Sequence, residues 1–256
     1  MVKAVNVIGL ENFPIVKQGD NLAELVFSTM QEEGVALNDG DVVVVAHKVV
    51  SKAEGRIVRL KDVKPSEKAE EIAKVTSKDP RFVELILQET RSIVKVSPEI
   101  LIVENEQGLV CINAALDKSN VEGEDAYALL PTDPDESARR ICSEIMKLTG
   151  KKVAVIIGDT YSRPFRRGQV EFAIGVAGLN PFRDYRGQKD LFDYVLKVKN
   201  TAVADEIASA AELVMGQGRE GIPVAIIKNL GFEQKEKQSS IDLLISKDED
   251  LFKGTL

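Results

Sequence analysis

The stretch KKVAVIIGDTYSRPFRRG, residues 151–168, decides how we interpret this chain, because a short apolar run ends there in polar and charged residues. Val153–Ile157 contains five apolar residues, four of them β-branched, which is typical of a buried strand and too short for a helix. The sequence therefore predicts a strand bounded by Gly158, with Asp159 and Thr160 just beyond its carboxyl end.

An acid, hydroxyl groups and three arginines follow that predicted strand within nine residues. Asp159 and Thr160 offer oxygen ligands of the kind that Mg²⁺ and Mn²⁺ prefer. Arg163, Arg166 and Arg167 carry planar guanidinium groups, which can neutralise phosphate or carboxylate. A turn with a solvated basic edge is the alternative, but so many functional groups in one place favour a site.

Composition and charge limit the function classes. With 256 residues the chain is long enough for one large domain or two small ones with a sizeable core. Its net charge of −7 and the absence of a long Lys/Arg block argue against a general nucleic-acid binder. A small anionic ligand remains compatible, because local arginines can outweigh the global charge.

Cysteine usage and hydropathy predict a cytoplasmic protein. The chain has two cysteines and no CxxC motif, which is typical of a reducing compartment. The start, MVKAVNVIGL, lacks the charged region and apolar run of a signal peptide. No apolar stretch reaches about 18 residues, so we expect no membrane span.

A second polar cluster follows another predicted strand, Val42–Ala46. It consists of His47, Lys48, Ser51 and Lys52. His47 is the only histidine, which excludes histidine-rich metal sites, and a lone histidine is often structural. The lysines nevertheless suit an anion site at a strand end. GxxxxGK[ST] and GxGxxG are both missing, so the common nucleotide-binding folds find no support.

A third cluster lies after the apolar segment 109–112, in the sequence NAALDKSN. Asp117 is a second candidate metal carboxylate, and Asn120 can place an amide beside it. Taken alone, the segment NAALDKSN is typical of a loop. Together with Asp159 it would supply acids from two strand ends, as sites for a divalent ion and a substrate phosphate often do.

Periodicity and end signals predict the remaining elements. Helices are predicted over 21–34, 66–76, 80–90, 135–148 and 203–215. Further strands are predicted over 3–8, 93–96, 100–104, 109–112, 170–176, 195–199 and 224–227, with a short strand within 56–63. The segments over 93–112 are separated by short polar turns, which favours an antiparallel meander.

Five blocks of sequence resemble the coenzyme F420-0 γ-glutamyl ligases, in the order and approximate spacing of that family. They are GLENFP (9–14), VAHKVVSKAEGR (45–56), INAALDKSN (112–120), IIGDTYSRPFRRGQVEFAIG (156–175) and MGQGREGIP (215–223). The resemblance implies a mixed α/β fold with largely antiparallel sheets flanked by helices. It further implies a single ligase domain over 1–256, with room for two subdomains, and an intertwined homodimer. His47 departs from the pattern, since the family often carries serine there.

The same resemblance implies an enzyme that uses GTP to join L-glutamate to the phospholactyl tail of F420-0. The γ-phosphoryl group would pass to the acceptor carboxyl, and the glutamate amine would attack the acyl phosphate. Mg²⁺ or Mn²⁺ would assist, with K⁺ as a candidate monovalent ion. Contacts to GTP would come from Leu10, Glu11, Asn12, Phe13, His47, Lys48, Lys52, Asn120, Met215, Gly216, Gln217 and Gly218. The divalent metal would be held by Asp117, Asp159, Thr160 and Gln217.

Two alternatives stay open from the residues. One is a non-catalytic protein that binds an anionic cofactor or nucleotide through the same basic side chains. The other is a different carboxylate–amine ligase on this scaffold. Convergence of Asp117 and Asp159 would distinguish the ligase from the non-catalytic binder. A protein that only binds anions gains nothing from two neighbouring carboxylates unless a cation lies between them.

Overall fold

A computed structural model describes residues 4–163, 165–235, 238–246 and 248–250. The helices are α1 Leu22–Glu32, α2 His47–Ala53, α3 Glu67–Thr76, α4 Pro80–Gln88, α5 Pro134–Thr149 and α6 Val203–Met215. The strands are β1 Asn6–Gly9, β2 Val42–Ala46, β3 Ile57–Arg59, β4 Thr90–Ser97, β5 Ile100–Asn105, β6 Val110–Ile112, β7 Ala126–Ala128, β8 Ala154–Ser162, β9 Gln169–Ala177, β10 Arg183–Asp184, β11 Asn200–Thr201 and β12 Val224–Lys228. Short 3₁₀ turns cover Leu60–Asp62, Asn113–Ala115 and Ser240–Leu243.

The chain divides into two compact units. The first unit comprises the described residues of Met1–Val50 and Asp133–Leu243, and the second those of Ser51–Thr132 and Leu244–Leu256. The first unit contains a five-stranded sheet in the order β1-β12-β2-β8-β9. Only β2 and β8 run parallel in this sheet, and the other neighbours are antiparallel.

The centre of the first unit is built on strands β2 and β8. Val42, Val43, Val44 and Val45 are all fully buried. Because successive residues of a strand point to opposite faces, this burial means that both faces of the sheet are covered. Helix α6 covers one face with small and branched side chains, including Ala204, Ala208 and Ala211. The central sheet is therefore a rigid base for residues at the ends of β2 and β8.

The second unit is smaller and contains two antiparallel sheets, β4-β5-β6 and β3-β7. Helices α3 and α4 pack together and contribute to a core with Leu101 and Val103 of β5. The meander predicted over 93–112 is confirmed, and so is the mixed α/β class with largely antiparallel sheets.

Three local predictions differ from the structure. The predicted strand 153–157 continues to Ser162, because its second half pairs with β9 after a register shift between Ile157 and Gly158. Asp159 and Thr160 therefore lie within a strand and not beyond it. The strand predicted over 195–199 is wrong, since the pairing segment is β11. Helix α2 was not predicted, and it contains the basic cluster that follows strand β2.

No helix in the described ranges is both long and apolar enough to cross a membrane. Cys111 and Cys142 are buried thiols, and burial raises the pKa of Cys142 to about 11. Both cysteines therefore act as packing residues. The cytoplasmic location stays a prediction.

Candidate functional site

The strand pair β8–β9 brings the polar residues of the central motif together with an acid that we did not predict. Thr160 lies directly opposite Glu171, and Asp159 lies opposite Phe172. Asp159 is 8% exposed and Glu171 only 3%. Buried acids are rare unless they are paired, hydrogen-bonded or bound to a cation. The strand pair is therefore the most unusual electrostatic feature of the first unit.

His47 lies against Asp159. Its Nε2 atom is 3.2 Å from Oδ1 of Asp159, and the histidine is 2% exposed. Oδ1 also accepts a 2.8 Å hydrogen bond from the backbone N–H of Thr160. Neither ring nitrogen of His47 makes a hydrogen bond to the residues that the structure describes, although both are buried. His47 thus lies close to Asp159 without a well-directed hydrogen bond, and its contact with GTP stays a prediction.

Glu171 has a strongly shifted pKa. Burial, followed by the negative charges of Asp159 and Glu212, raises its pKa to about 8, although Lys48 and a hydrogen bond from Gln217 act in the opposite direction. Lys48 therefore offsets only part of the effect of burial and of the two neighbouring acids on Glu171. The carboxylate is therefore poorly compensated as an anion.

The position of Glu171 is held from several sides. Its backbone N–H donates to Glu212 at 3.1 Å, and its carbonyl accepts a 2.8 Å hydrogen bond from the hydroxyl of Ser209. Its side chain lies over Gly158, where an added Cβ would come within 2.9 Å of Cγ of Glu171. A residue larger than glycine at position 158 would thus displace the acid.

Gln217 extends this cluster from the end of α6. Its side-chain nitrogen donates to Oε2 of Glu171 at 3.4 Å. Gly216 has φ 66°, a left-handed value that favours glycine, and brings the chain away from the helix. The backbone N–H of Gly218 donates to the carboxylate of Glu220 at 2.7 Å. Met215, the remaining predicted residue of this block, is buried at the end of α6.

The tip of the β8–β9 hairpin carries the three arginines of the central motif. Arg166 and Arg167 are exposed, and Nε of Arg163 is buried without a hydrogen-bond partner among the described residues. Exposed guanidinium groups at a hairpin tip suit an anionic ligand. Their role stays a prediction.

The GLENFP block forms a loop after β1. The side chain of Leu10 is fully buried, and its N–H donates to the carbonyl of Val224. Glu11 and Asn12 are exposed and Phe13 is half-buried. The N–H of Asn12 donates to Glu33 at 2.6 Å. The loop is therefore anchored at Leu10, and the predicted contacts of its residues with GTP stay predictions.

Three predicted residues lie together in the second unit. The ammonium of Lys52 donates to the carbonyl of Asn120 at 2.8 Å, and Asn120 follows Asp117 by three residues. The carboxylate of Asp117 accepts hydrogen bonds from the N–H and the hydroxyl of Ser119, at 2.7 and 3.1 Å. The sequence neighbours Asp117 and Asn120 thus form one loop with Lys52.

A left-handed turn precedes that loop. Asn113, Ala114 and Ala115 have φ values of 53°, 53° and 59°. This conformation costs about 1–3 kcal/mol for each residue other than glycine, and such strain often marks functional segments. The turn that leads into the loop of Asp117 therefore has a backbone conformation that its residues do not favour.

The oxygen donors near the β8–β9 strand pair lie on two faces. Asp159 lies opposite Phe172 and Thr160 opposite Glu171, so the side chain of Asp159 projects from the face opposite to that of Thr160 and Glu171. Carboxylate, hydroxyl and amide oxygens are ligands for Mg²⁺ or Mn²⁺. No group of three His, Cys, Asp or Glu side chains in the described ranges is arranged as a ready metal site. Asp117 belongs to the second unit and Asp159 to the first, so their predicted joint ligation stays a prediction.

Comparison with known proteins decides the family. The family model described as F420-0:Gamma-glutamyl ligase matches residues 11–229. The chain belongs to this F420-0:gamma-glutamyl ligase family. The match includes every predicted site residue except Leu10.

Similarity to individual members of the F420-0:gamma-glutamyl ligase family extends over almost the whole chain. A protein from Methanothermobacter thermautotrophicus named coenzyme F420:L-glutamate ligase is 44% identical, over 98% of this chain and 99% of its own length. The protein of that name from Methanocaldococcus jannaschii is 45% identical, over 98% of both chains. The Archaeoglobus fulgidus protein is 44% identical, again over 98% of both. The resemblance identified from the five sequence blocks is thus confirmed.

Proposed function

We propose that this chain is a GTP-dependent ligase that adds L-glutamate, through γ-linked amide bonds, to the phospholactyl tail of coenzyme F420-0. The observation that carries the proposal is the 44–45% identity over 98% of the chain to proteins named coenzyme F420:L-glutamate ligase. Identity at this level over the whole length preserves the fold, and the β8–β9 cluster supplies the chemistry of a site.

The reaction needs an activated carboxyl group. A carboxylate does not form an amide at neutral pH, because hydroxide is a poor leaving group. In the proposed route the acceptor carboxylate attacks the γ-phosphorus of GTP, the bond to the β-phosphate oxygen breaks, and GDP leaves. The glutamate amine then attacks the acyl carbon, phosphate leaves, and the nitrogen loses a proton. Neither buried cysteine is needed as a nucleophile.

Basic side chains and a glycine-containing loop are assigned to the nucleotide. Lys52 would offset phosphate charge, and its present hydrogen bond to the carbonyl of Asn120 keeps it beside that residue. Lys48 and the loop Met215–Gly218 would complete the contacts, together with the GLENFP loop. The glycines of the loop suit close approach of backbone amides to phosphate.

The divalent ion, Mg²⁺ or Mn²⁺, would be held by Asp117, Asp159, Thr160 and Gln217. When bound, such an ion neutralises the charge that develops on the phosphoryl oxygens. His47 would keep the carboxylate of Asp159 in place through its 3.2 Å contact. Participation of K⁺ remains a separate prediction.

The homodimer is supported by an apolar arm in the first unit. The segment between β10 and β11 exposes apolar side chains that a monomer would leave in water: Leu191 at 95%, Phe192 at 89% and Val198 at 88% exposure. A second copy of the chain is the proposed partner. Phe192→Asp should convert a dimer to a monomer in light scattering, whereas Leu213→Asp, at an exposed apolar position of α6, should leave the dimer intact.

The function is tested with purified protein, GTP, Mg²⁺, L-glutamate and F420-0. Mass spectrometry should show the acceptor gaining glutamyl units, and GDP and phosphate should form in proportion. Replacing GTP with ATP measures the nucleotide preference. An acceptor of unchanged mass in the presence of GTP would contradict the proposal, and glutamylation of a different carboxylate would indicate another ligase on this scaffold.

A further inference from the structure

Arg56 ends the block VAHKVVSKAEGR, and the proposed function leaves it without a role. Its side chain is 25% exposed, and that of its partner Glu89 is 17% exposed. One guanidinium nitrogen, Nη2, donates to the Glu89 carboxylate at 2.6 Å, and Nε donates to the carbonyl of Leu130 at 3.0 Å. A planar guanidinium can hold two acceptors in fixed directions, whereas a lysine ammonium acts as a point charge. Arg56 therefore joins two segments that are distant in the sequence.

The backbone of Arg56 connects the same region to Lys52. The N–H of Arg56 donates to the carbonyl of Ser51 at 2.7 Å, and the N–H of Gly55 donates to the carbonyl of Lys52 at 3.1 Å. The carbonyl of Arg56 accepts a 2.9 Å hydrogen bond from the N–H of Leu129. The turn that follows Lys52 is thus fixed to the end of α2 on one side and to the segment after β7 on the other.

The segment around β7 also holds the loop of Asp117. Asp117 and Ala128 exchange two backbone hydrogen bonds, of 3.1 Å from the Asp117 N–H and 2.8 Å from the Ala128 N–H. The loop then returns to α2, because the ammonium of Lys52 donates to the carbonyl of Asn120 at 2.8 Å. These contacts form a closed ring, with Arg56 on one side and the hydrogen bond between Lys52 and Asn120 on the other.

We propose that Arg56 is a positioning residue that sets the distance between the ammonium of Lys52 and the loop of Asp117. This inference rests on the proposed function, which assigns Lys52 to the nucleotide and Asp117 to the cation. All three residues belong to the second unit, so Arg56 can set this distance within one compact body. Phosphate contacts depend steeply on such distances, since a misplacement of about 1 Å can cost a large factor in rate. Arg56 acts through Lys52 and need not touch the nucleotide.

Titration calorimetry with GTP, in a double-mutant cycle, measures whether Arg56 acts through Lys52. Arg56→Met should weaken GTP binding about 3–30-fold when Lys52 is present, and less than about twofold in the Lys52→Met background. Arg56→Lys keeps the charge beside Glu89 but loses the planar fork, so its affinity should lie between those of Arg56→Met and wild type. Arg81→Met is the control. It removes an equally short ion pair of the second unit, Arg81 with Asp79 at 2.6 Å, and should bind GTP as wild type does.

Hydrogen–deuterium exchange of the nucleotide-free protein measures the hold of Arg56 on the loop. The amides of Asp117 and Ala128 are protected by the two hydrogen bonds between these residues. In Arg56→Met both amides should exchange at least about threefold faster than in wild type, because the segment after β7 loses its side-chain anchor. Arg81→Met should exchange as wild type does at both positions. Thermal melting checks that each variant is folded.

The outcomes separate this inference from the proposed function. Unchanged GTP affinity in Arg56→Met, or an equal loss with and without Lys52, would overturn the positioning role and leave the ligase in place. Unchanged exchange at Asp117 and Ala128 would overturn it as well. If wild-type protein binds no GTP, the proposed function fails, and faster exchange in Arg56→Met would still support the hold on the loop. Should Arg56→Met not fold, wild-type affinity and exchange in Arg56→Lys would equally overturn the inference.

Discussion

The acids of the β8–β9 strand pair and the acid of the second unit's loop are stabilised in opposite ways. Asp159 and Glu171 are buried within one strand pair, and Glu171 has its pKa raised to about 8. Asp117 is half-buried, and its carboxylate already accepts two hydrogen bonds from Ser119. The comparison shows that burial disfavours the charged form of Glu171 in the strand pair, whereas hydrogen bonds from Ser119 favour the charged form of the loop carboxylate.

The first prediction, with the largest expected effect, concerns the charge of Asp159. Asp159→Asn keeps the volume, so we expect a folded protein that loses turnover on the order of 100-fold, because the carboxylate proposed to hold the cation is gone. Turnover of GTP and glutamate is the measurement. Asp205→Asn serves as control, since Asp205 is also partly buried and accepts a backbone N–H of β9. Near-normal turnover of Asp159→Asn at ordinary Mg²⁺ would remove Asp159 from the site.

The second prediction concerns Lys52, next to the loop of Asp117. A charge-assisted hydrogen bond to phosphate contributes about 1.5–3 kcal/mol, so Lys52→Met should weaken GTP binding roughly 10- to 150-fold. Thermal stability should change by less than about 0.5 kcal/mol if the hydrogen bond to Asn120 is only a surface contact. Titration calorimetry with GTP measures the affinity. An unchanged affinity would show that Lys52 is a solvated surface residue. It would also weaken the assignment of Lys48 as a contact to GTP.

The third prediction concerns how protein stability depends on pH through the buried acid Glu171. The folded pKa of Glu171 is about 8, above its ordinary value of 4.5, so the folded state holds a proton that the unfolded state releases. The contribution of Glu171 to the free energy of unfolding is therefore fully present below about pH 4.5. Between about pH 4.5 and pH 8 the free energy of unfolding decreases by about 1.4 kcal/mol per pH unit, and above about pH 8 the contribution is lost.

Denaturation in urea at several pH values, with EDTA present, measures this effect. Glu171→Gln should remove the decrease, so that the variant gains stability relative to wild type between pH 5 and pH 8. Asp117→Asn should show no comparable gain, because the loop carboxylate is only half-buried. Parallel pH curves for wild type and Glu171→Gln would show that the buried acid is compensated in the metal-free protein.

The sequence predicted the long helices better than the short one. The starts of helices α1 and α5 follow residues that commonly cap helices, Asn21 and Asp133, and both accept hydrogen bonds from the first turn. Helix α6 was predicted with its observed ends, Val203–Met215. Helix α2 escaped prediction because its HKVVSKA sequence is only seven residues long and contains two valines, which are poor helix formers. Short elements of this kind depend on tertiary packing.

The site could be predicted only in part, for a physical reason. Asp159 and Thr160 were visible because they interrupt an apolar run, and Asp117 because it follows one. Glu171 was hidden within QVEFAIG, where Phe172 and Ile174 suggested the buried face. In the structure Glu171 and Ala173 are buried and Phe172 is half-buried. The signal that would have revealed Glu171 is the glycine at position 158, but the register that brings the two together comes from strand pairing.

Anomalous diffraction from crystals grown with Mn²⁺ and a non-hydrolysable GTP analogue tests the central claim most directly. The account predicts a manganese peak in contact with the carboxylate of Asp159, close to the terminal phosphate of the analogue. A nucleotide bound with its manganese away from the β8–β9 strand pair, and Asp159 without a cation, would contradict it.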